Sequence, residues 1–478
     1  TNLPLPQVAV VGMGDYSGPL KNHEDFQNLV FSGVKKKKKP AGPLRFHGTE
    51  QVASLHLNGK TPPAGCYIDD FTVSLGEFHI PPNEIPDILP QHLLMLKAAG
   101  EALDNAGIPR RVDRPRMGSA IGMAFDYEAA NFHLRWNLES AVDTWNETLK
   151  LGLDQEQKSD WLENLKNSVH PPLTAARTTG ALGGIIASRV AKEFRLGGPC
   201  FIVSCEEASG LKALDIGLRS IQNGETDMYL VGAVDLPGEI RNLVATEKIG
   251  GRAPSPFEGS VALVLKRLDL ALEDGDRIYA LVKGVGKASM GGIDDPAVSG
   301  EAVFMSLHRA FDDAAVDPMA VTFLELQGDT LESVSRVEKK ALDQFFSNGV
   351  SVQAASETPV TGSISELTGW AGSSHGLLSL VKSCLCLYQN KKAASVGNSS
   401  SGPALALVSS MTTDGNVCHV LVEQHQGPDH GVHSDALLSV APRTGSTVTR
   451  TGHTIPVTVG GKILKAPEHP FPMPNLSP

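Results

Sequence analysis

A chain of 478 residues, 41% hydrophobic and 20% charged, has ordinary globular composition and is long enough for two or three domains or one large duplicated one. Its net charge of -11 argues against a general binder of nucleic acid or of anionic membrane surfaces, because a phosphate backbone would be repelled overall. The lysine run at 35–39 cuts against that average and reads either as solvated loop or as a docking patch for an acidic partner.

Taken in chain order, VAVVGMG at 8–14 predicts a short strand, and HEDFQNLVFSG predicts a helix with Phe26, Leu29 and Val30 on one face. Residues 34–65 are polar and turn-rich. The stretch 88–107 repeats apolar residues at Leu89, Leu93, Leu96, Ala99, Ala102, Leu103 and Ala106, an amphipathic helix closed by Gly107. GSAIGMAF at 118–125 reads as a buried strand, followed by a long polar insertion at 126–170. TTGALGGIIASRVAKEF at 178–194 reads as a small-residue helix that packs closely against its neighbours. PCFIVSC is a strand, SGLKALDIGLRSIQNG a helix and DMYLVGAVDL a strand, and SVALVLKRL adds another strand.

The second half repeats the theme. Strand-like IYALVKGVGKAS, helical AVFMSLHRAFDDAAV, strand VTFLELQG and helical ESVSRVEKKALDQFF lead to SHGLLSLVKSCLCLYQ, helical and almost wholly apolar. PALALVSSM and HVLVEQ close the core as strands. This alternation means α/β architecture. Helices apolar all round, at 178–191 and 374–387, point to a helix layer buried between two sheets, with a single doubly wound sheet as the rival arrangement. The boundaries that follow are an N-terminal half at 1–270 carrying the insertion, a C-terminal half at 271–425, and an extension or linker at 426–478. Both chain ends have linker composition, which suggests a domain of a larger polypeptide.

Six cysteines without a CxxC pair suit a reducing compartment, hence the cytoplasm. No His/Cys ladder suggests a metal, and no apolar run reaches the 18 residues of a membrane span.

The order and spacing of several stretches resemble the β-ketoacyl synthase family, the condensing enzymes of fatty-acid and polyketide synthesis. They are VAVVGMG, LPQHLLML, GGPCFIVS, ALDIGLRSIQNGETDMYLVGAVDL, VLKRLDLALEDGDRIYALVKG and CHVLVE. The resemblance covers residues 8 to about 425. It implies a thiolase-like five-layer α-β-α-β-α sandwich of two similar halves that dimerises.

The family nucleophile is the cysteine of a phrase like Val-Asp-Thr-Ala-Cys-Ser-Ser-Ser-Leu. Laid on Val203 and Leu211, that position falls on Glu207, with Cys205 two residues earlier. The two family histidines fall on Gln327, in ELQGDTL, and Trp370, in GSISELTGW. Ser365 stands at the family lysine, and MTTDG at 411–415 replaces a glycine-rich loop. The substitutions fall together on the site while the scaffold stretches persist.

Condensation needs a thiolate to accept an acyl chain. Glu207 at a helix start is expected to be a stabilised carboxylate that caps backbone amides and plugs the site, or else a general base for hydration, dehydration or hydrolysis. Gln327 cannot shuttle a proton near neutrality, and Trp370 brings bulk where a substrate would lie. Cys205 beside Glu206 and Glu207 should have a raised thiol pKa and reads as packing more naturally than as nucleophile. His375 is either a displaced base or a satisfied core histidine, and His419 is structural. Ser365 and Thr413 are expected to line what remains of the pocket.

The resemblance implies a non-condensing protein similar to a chain-length factor, with Glu207, Gln327 and Trp370 at vestigial triad positions. It would pair with an active ketosynthase and shape its acyl tunnel, and its subfamily resembles polyunsaturated fatty-acid synthases. It would bind no cofactor itself, the phosphopantetheine being carried by a partner acyl carrier protein. The alternatives are a Glu207-dependent decarboxylase, hydrolase or dehydratase acting on acyl or malonyl thioesters, and a homodimeric acyl-binding scaffold.

Overall fold

A computed structural model describes residues 5–32, 38–42, 45–46, 50–125, 127–250, 252–289, 299–328, 332–348, 359–390, 404–412, 414–426 and 454–459. The N-terminal half runs β1 (Val8–Ser17), α1 (His23–Ser32), α2 (Glu50–His56), β2 (Asp70–Ser74), α3 (Pro90–Asn105), β3 (Met117–Met123), α4 (Tyr127–Thr148) and α5 (Gln155–Val169). It continues with α6 (Ala175–Gly180), α7 (Ile186–Phe194), β4 (Cys200–Val203), α8 (Ser209–Gln222), β5 (Met228–Asp235), α9 (Ile240–Gly250), β6 (Gly259–Arg267) and α10 (Leu268–Glu273). The C-terminal half runs β7 (Ala280–Ser289), α11 (Gly300–Ala314), β8 (Val321–Glu325), α12 (Glu332–Asn348), β9 (Val360–Gly362), α13 (His375–Gln389), β10 (Leu405–Met411) and β11 (Asn416–Glu423). A last strand, β12 (Thr454–Thr458), lies in the extension and pairs with β2.

The strand order is β4-β3-β5-β6-β1 followed by β7-β11-β10-β8-β9. Read outward from the β1/β7 junction, the second five strands repeat the first five in order and direction. β3 is parallel to β4 and β5, as β8 is to β9 and β10, and the remaining neighbours are antiparallel. Val8–Val10 pairs with Ala280–Val282 and joins the two sheets.

Alternation along each strand divides the apolar side chains between layers. In β6, Val261, Leu263 and Leu265 face the central helices α8 and α13, whereas Ala262 and Val264 face α3. In β11, Val420 and Val422 face inward and Leu421 faces α11 and α12. The layers are therefore α3 with α7, sheet, α8 with α13, sheet, α11 with α12. This is the five-layer sandwich expected from the sequence.

One element departs from expectation. Residues 178–194 do not form a single helix buried between sheets. Helix α6 ends at Gly180, Leu182 is exposed, and α7 restarts at Ile186 with Ser188 and Lys192 facing solvent. The Gly183–Gly184 pair supports no helix propagation, and α7 buries only Ile186, Ala187, Val190, Ala191, Glu193 and Phe194. The second central helix is α8. The polar insertion forms the hairpin of α4 and α5, with its own small core of Leu138, Val142, Leu153, Trp161 and Leu165.

Where α8 and α13 cross, each supplies a glycine to the other's leucine. A Cβ on Gly210 would stand 2.8 Å from Leu377 Cγ, and one on Gly376 would stand 2.7 Å from Leu211 Cγ. All of these residues are buried between two sheets, so neither leucine can withdraw. Gly210→Val and Gly376→Val should each destabilise the fold by about 1–3 kcal/mol through overpacking, seen as a lower urea midpoint. An unchanged midpoint would contradict this crossing.

Candidate functional site

The stretch that ends β4 turns sharply. Cys205 (φ -159, ψ 50) precedes Glu206, whose φ of 42 lies in the left-handed region that a side chain seldom adopts. A short 3-10 turn, Glu206–Ala208, then feeds α8. This elbow puts Glu207 at the start of the central helix layer, only 5% exposed.

Trp370 meets it from the turn ahead of α13. Its Nε1 donates to Glu207 Oε1 at 3.2 Å, joining positions 163 residues apart. Its backbone is fixed as well, with N donating to Ser255 O at 2.8 Å and O accepting from Phe257 N at 2.7 Å. The second oxygen of Glu207, Oε2, has no hydrogen-bond partner. Beneath lies a cavity of about 70 Å³ lined by Glu206, Glu207, Asp235, Trp370, Phe125, Tyr127 and Asn242 among others. That volume holds a few water-sized groups and no acyl chain.

Burial dominates the electrostatics. It pushes the Glu207 carboxyl up to about 7, opposed first by the residue's own backbone N–H and then by the Trp370 hydrogen bond, and reinforced by Glu206 and Asp235. Asp235, at the end of β5, is likewise pushed up to about 7 by burial, although it accepts from Ser373 N at 2.7 Å. The carboxyl at 207 is thus harder to ionise than expected, although its own backbone N–H does favour the carboxylate. Desolvation outweighs the helix start, and no side-chain cap forms on the 3-10 turn or on α8.

The other predicted positions separate. Gln327 is buried and turned into the scaffold, its Oε1 accepting from Met411 N at 3.2 Å and its backbone N–H donating to Glu338 Oε1 at 2.9 Å. Ser365 shares a 2.8 Å hydrogen bond with Ser363. Neither reaches the cavity. Cys205 is half-buried, and its thiol pKa is raised chiefly by desolvation; Glu206 contributes least, and Lys212 opposes. His375 is fully buried, and burial lowers its pKa to about 4. It is not the satisfied core histidine expected, since its ring faces the Gln327 backbone without a well-formed hydrogen bond at either nitrogen. His419 bonds Ser306 Oγ at 2.9 Å within the scaffold. Thr413 lies outside the described residues, as do 35–37 of the lysine run; Lys38 and Lys39 are exposed.

Asp235, Asn242, Phe125 and Tyr127 were not singled out from sequence, and Glu206 was named only for its effect on Cys205. Only Asp235 carried a signal, a lone acid closing the apolar strand LVGAVD. A larger cavity of about 610 Å³, lined by Phe304, Phe311, Phe345 and Phe346, opens between α11 and α12 and contains none of the predicted site residues. Among the described residues no three His, Cys, Asp or Glu side chains are grouped to hold a metal ion, and no helix is long and apolar enough to cross a membrane.

Two mirrored five-stranded sheets around paired helices, with a strand-to-helix elbow facing the start of the second helix, define a thiolase-like fold. The chain belongs to the β-ketoacyl synthase family: residues 6–270 match the family's N-terminal domain and residues 279–397 its C-terminal domain. It is similar to a polyunsaturated fatty acid synthase polypeptide of Thraustochytrium sp., 26% identical over 426 residues, 83% of this chain but 19% of that protein. It is also similar to a phenolphthiocerol/phthiocerol polyketide synthase polypeptide of Mycobacterium tuberculosis, 29% identical over 435 residues, 85% of this chain and 27% of that one. The chain thus spans about a fifth to a quarter of these relatives' lengths. Among solved structures, PfaC Keto synthase-Chain length factor aligns with a TM-score of 0.75 at 19% identity, over 97% of this chain and 46% of that chain. The ketosynthase from module 6 of the bacillaene synthase of Bacillus subtilis 168 aligns at 0.66 and 19%, over 88% and 72%.

Because folding raises the pKa of Glu207, the folded state holds a proton between the ordinary value of 4.5 and about 7. The stability this confers is complete below the ordinary value and is lost as pH rises through about 7. Glu207→Gln, which keeps the acceptor for Trp370, should therefore be more stable than the parent at pH 8, on the order of 3 kcal/mol, and the gap should close toward pH 4. Urea denaturation against pH measures it. A gap independent of pH would contradict a buried, protonatable Glu207.

Proposed function

We propose that this chain is a non-condensing, chain-length-factor-like domain that pairs with an active ketosynthase in fatty-acid or polyketide synthesis. One observation carries the reading: the elbow that should present a thiol presents buried Glu207, closed by Trp370, over a cavity too small for an acyl chain. Among the described residues neither sulfur nor imidazole lines that cavity. A thioester cannot be loaded there, since a carboxylate would form a mixed anhydride that water soon destroys. Gln327, held by the Met411 backbone N–H and the Glu338 carboxylate, supplies no proton transfer.

Pairing is supported by the edge of the first sheet. Among the described residues β4 has a neighbour on one side only, and its Cys200 and Phe201 are exposed, the latter 47%. An exposed apolar edge strand is a template for pairing with another chain. An interface of this kind survives decay of the catalytic groups, because its burial does not depend on them. On this reading the phosphopantetheine arm belongs to a partner acyl carrier protein. Exposed Lys38 and Lys39 contribute to docking such an acidic carrier, and the complex works in the cytoplasm.

A second reading draws on the free Glu207 Oε2 and its pKa near 7, the properties of a general base. It makes the domain a decarboxylase, hydrolase or dehydratase of carrier-bound thioesters, with turnover abolished in Glu207→Gln. A homodimer through β4 is the third arrangement.

Native mass spectrometry with and without an intact ketosynthase, followed by product analysis, separates them. Heterodimer formation, weakened about tenfold or more by Phe201→Asp as expected for a truncated interface anchor, supports pairing. Product length should change with this chain present and stay unchanged by Glu207→Gln. A stable homodimer indifferent to ketosynthase, or Glu207-dependent turnover by the isolated chain, would overturn the proposal.

A further inference from the structure

The outer helix layer of the C-terminal half holds a cavity that the elbow does not use. At about 610 Å³ it falls within the range of small-molecule sites, about 300–1,000 Å³. Its walls are aromatic. Phe311 and Phe345 stack with centroids 5.5 Å apart and planes 17° from parallel. Phe346 stands edge-on to Phe345 at 5.4 Å, and His308 does the same at 5.1 Å. Phe304, Phe345 and Phe346 are only partly buried, so this surface stays accessible from the cavity.

The charge around it has one sign. The cavity lies where two helices finish: Phe311, Asp312 and residues 315–319 come from the end of α11 and just beyond, and Phe345 and Phe346 from the last turn of α12. A helix C-terminus carries partial negative charge, and neither last turn holds a basic residue to offset it. Asp312 and Asp317, both exposed, add two carboxylates. Among the described residues no lysine or arginine lines the cavity. Arg309, the sole such residue of α11, donates to Lys287 O instead. Aromatic faces also attract cations. A fatty carboxylate would therefore meet like charge here, whereas an apolar body bearing positive charge is matched in both respects.

We propose that this cavity binds a lipophilic organic cation, an ammonium group on an aryl or alkyl body. The body lies against Phe304, Phe311 and Phe345, and the ammonium beside Asp312 and Asp317. The site goes beyond the pairing reading and shares no residue with β4 or the elbow.

Met319, which lines the cavity and is 45% exposed, is the reporter. In protein labelled with 13C-methyl methionine and assigned with Met319→Leu, phenylbutylammonium chloride at low ionic strength should shift that methyl signal saturably. Phenylbutyrate, the same body with the opposite charge, should bind about tenfold more weakly or worse. Butylammonium chloride, which lacks the ring, should also lose about tenfold or more. Asp312→Asn combined with Asp317→Asn should close most of the gap between phenylbutylammonium and phenylbutyrate. Asparagine keeps the cap that Asp317 gives Met319 N, and the pair separates the local charge from the chain's net charge of -11. An unmoved Met319 signal, phenylbutyrate binding as tightly as the amine, or a cation preference that survives the double substitution overturns the proposal. So does a Met319 signal that moves with protein concentration alone, which would mark this face as an interface between copies of the chain. The first arms need only the parent protein, and their failure would leave the pairing reading standing.

Discussion

The hydrogen bond from Trp370 to Glu207 ties the elbow before α8 to the turn before α13, and the Trp370 backbone ties that turn to the strand lead-in at Ser255 and Phe257. It also sets the site's chemistry. Burial takes the carboxyl out of water and raises its pKa, while the indole's hydrogen bond favours the ionised form. One oxygen is satisfied and the other is left bare. A bare buried acceptor costs about 1–3 kcal/mol, which a core running continuously through two sheets and two central helices can absorb.

The pseudo-symmetry explains why the site lies where it does. Each half sends one helix into the central layer, α8 after β4 and α13 after β9, and the leads into both helices meet beside the glycine–leucine crossing. Geometry of that kind follows from the scaffold and persists whatever residues stand at the helix starts. Nucleophile, base and acid are separate matters, carried by three or four side chains. Here those side chains are an acid, an amide and an indole, and the amide is held in the scaffold by the Met411 N–H.

Much of this was legible in the residues. Strands such as SVALVLKRL alternate strongly enough to mark both faces, and the family phrases place Glu207 and Trp370 at corresponding positions without any knowledge of their contact. What escaped had physical reasons. Residues 178–194 look like a buried helix because small residues suggest close packing, yet Gly183 and Gly184 break the chain and leave Leu182 exposed. β9 has three residues and offers no periodicity. Asp235 and Asn242 join the site only through tertiary approach. The raised pKa of Glu207 escaped because a helix start is visible in sequence, whereas desolvation by burial is not.

The central claim is that no acyl group is loaded at this elbow. Intact-mass and peptide mass spectrometry of the isolated chain, after incubation with acyl and malonyl carrier proteins, tests it most directly. The account predicts an unmodified chain, with Cys205 left as a free thiol. An acyl adduct on Cys205, formed at a rate matching product release, would contradict it.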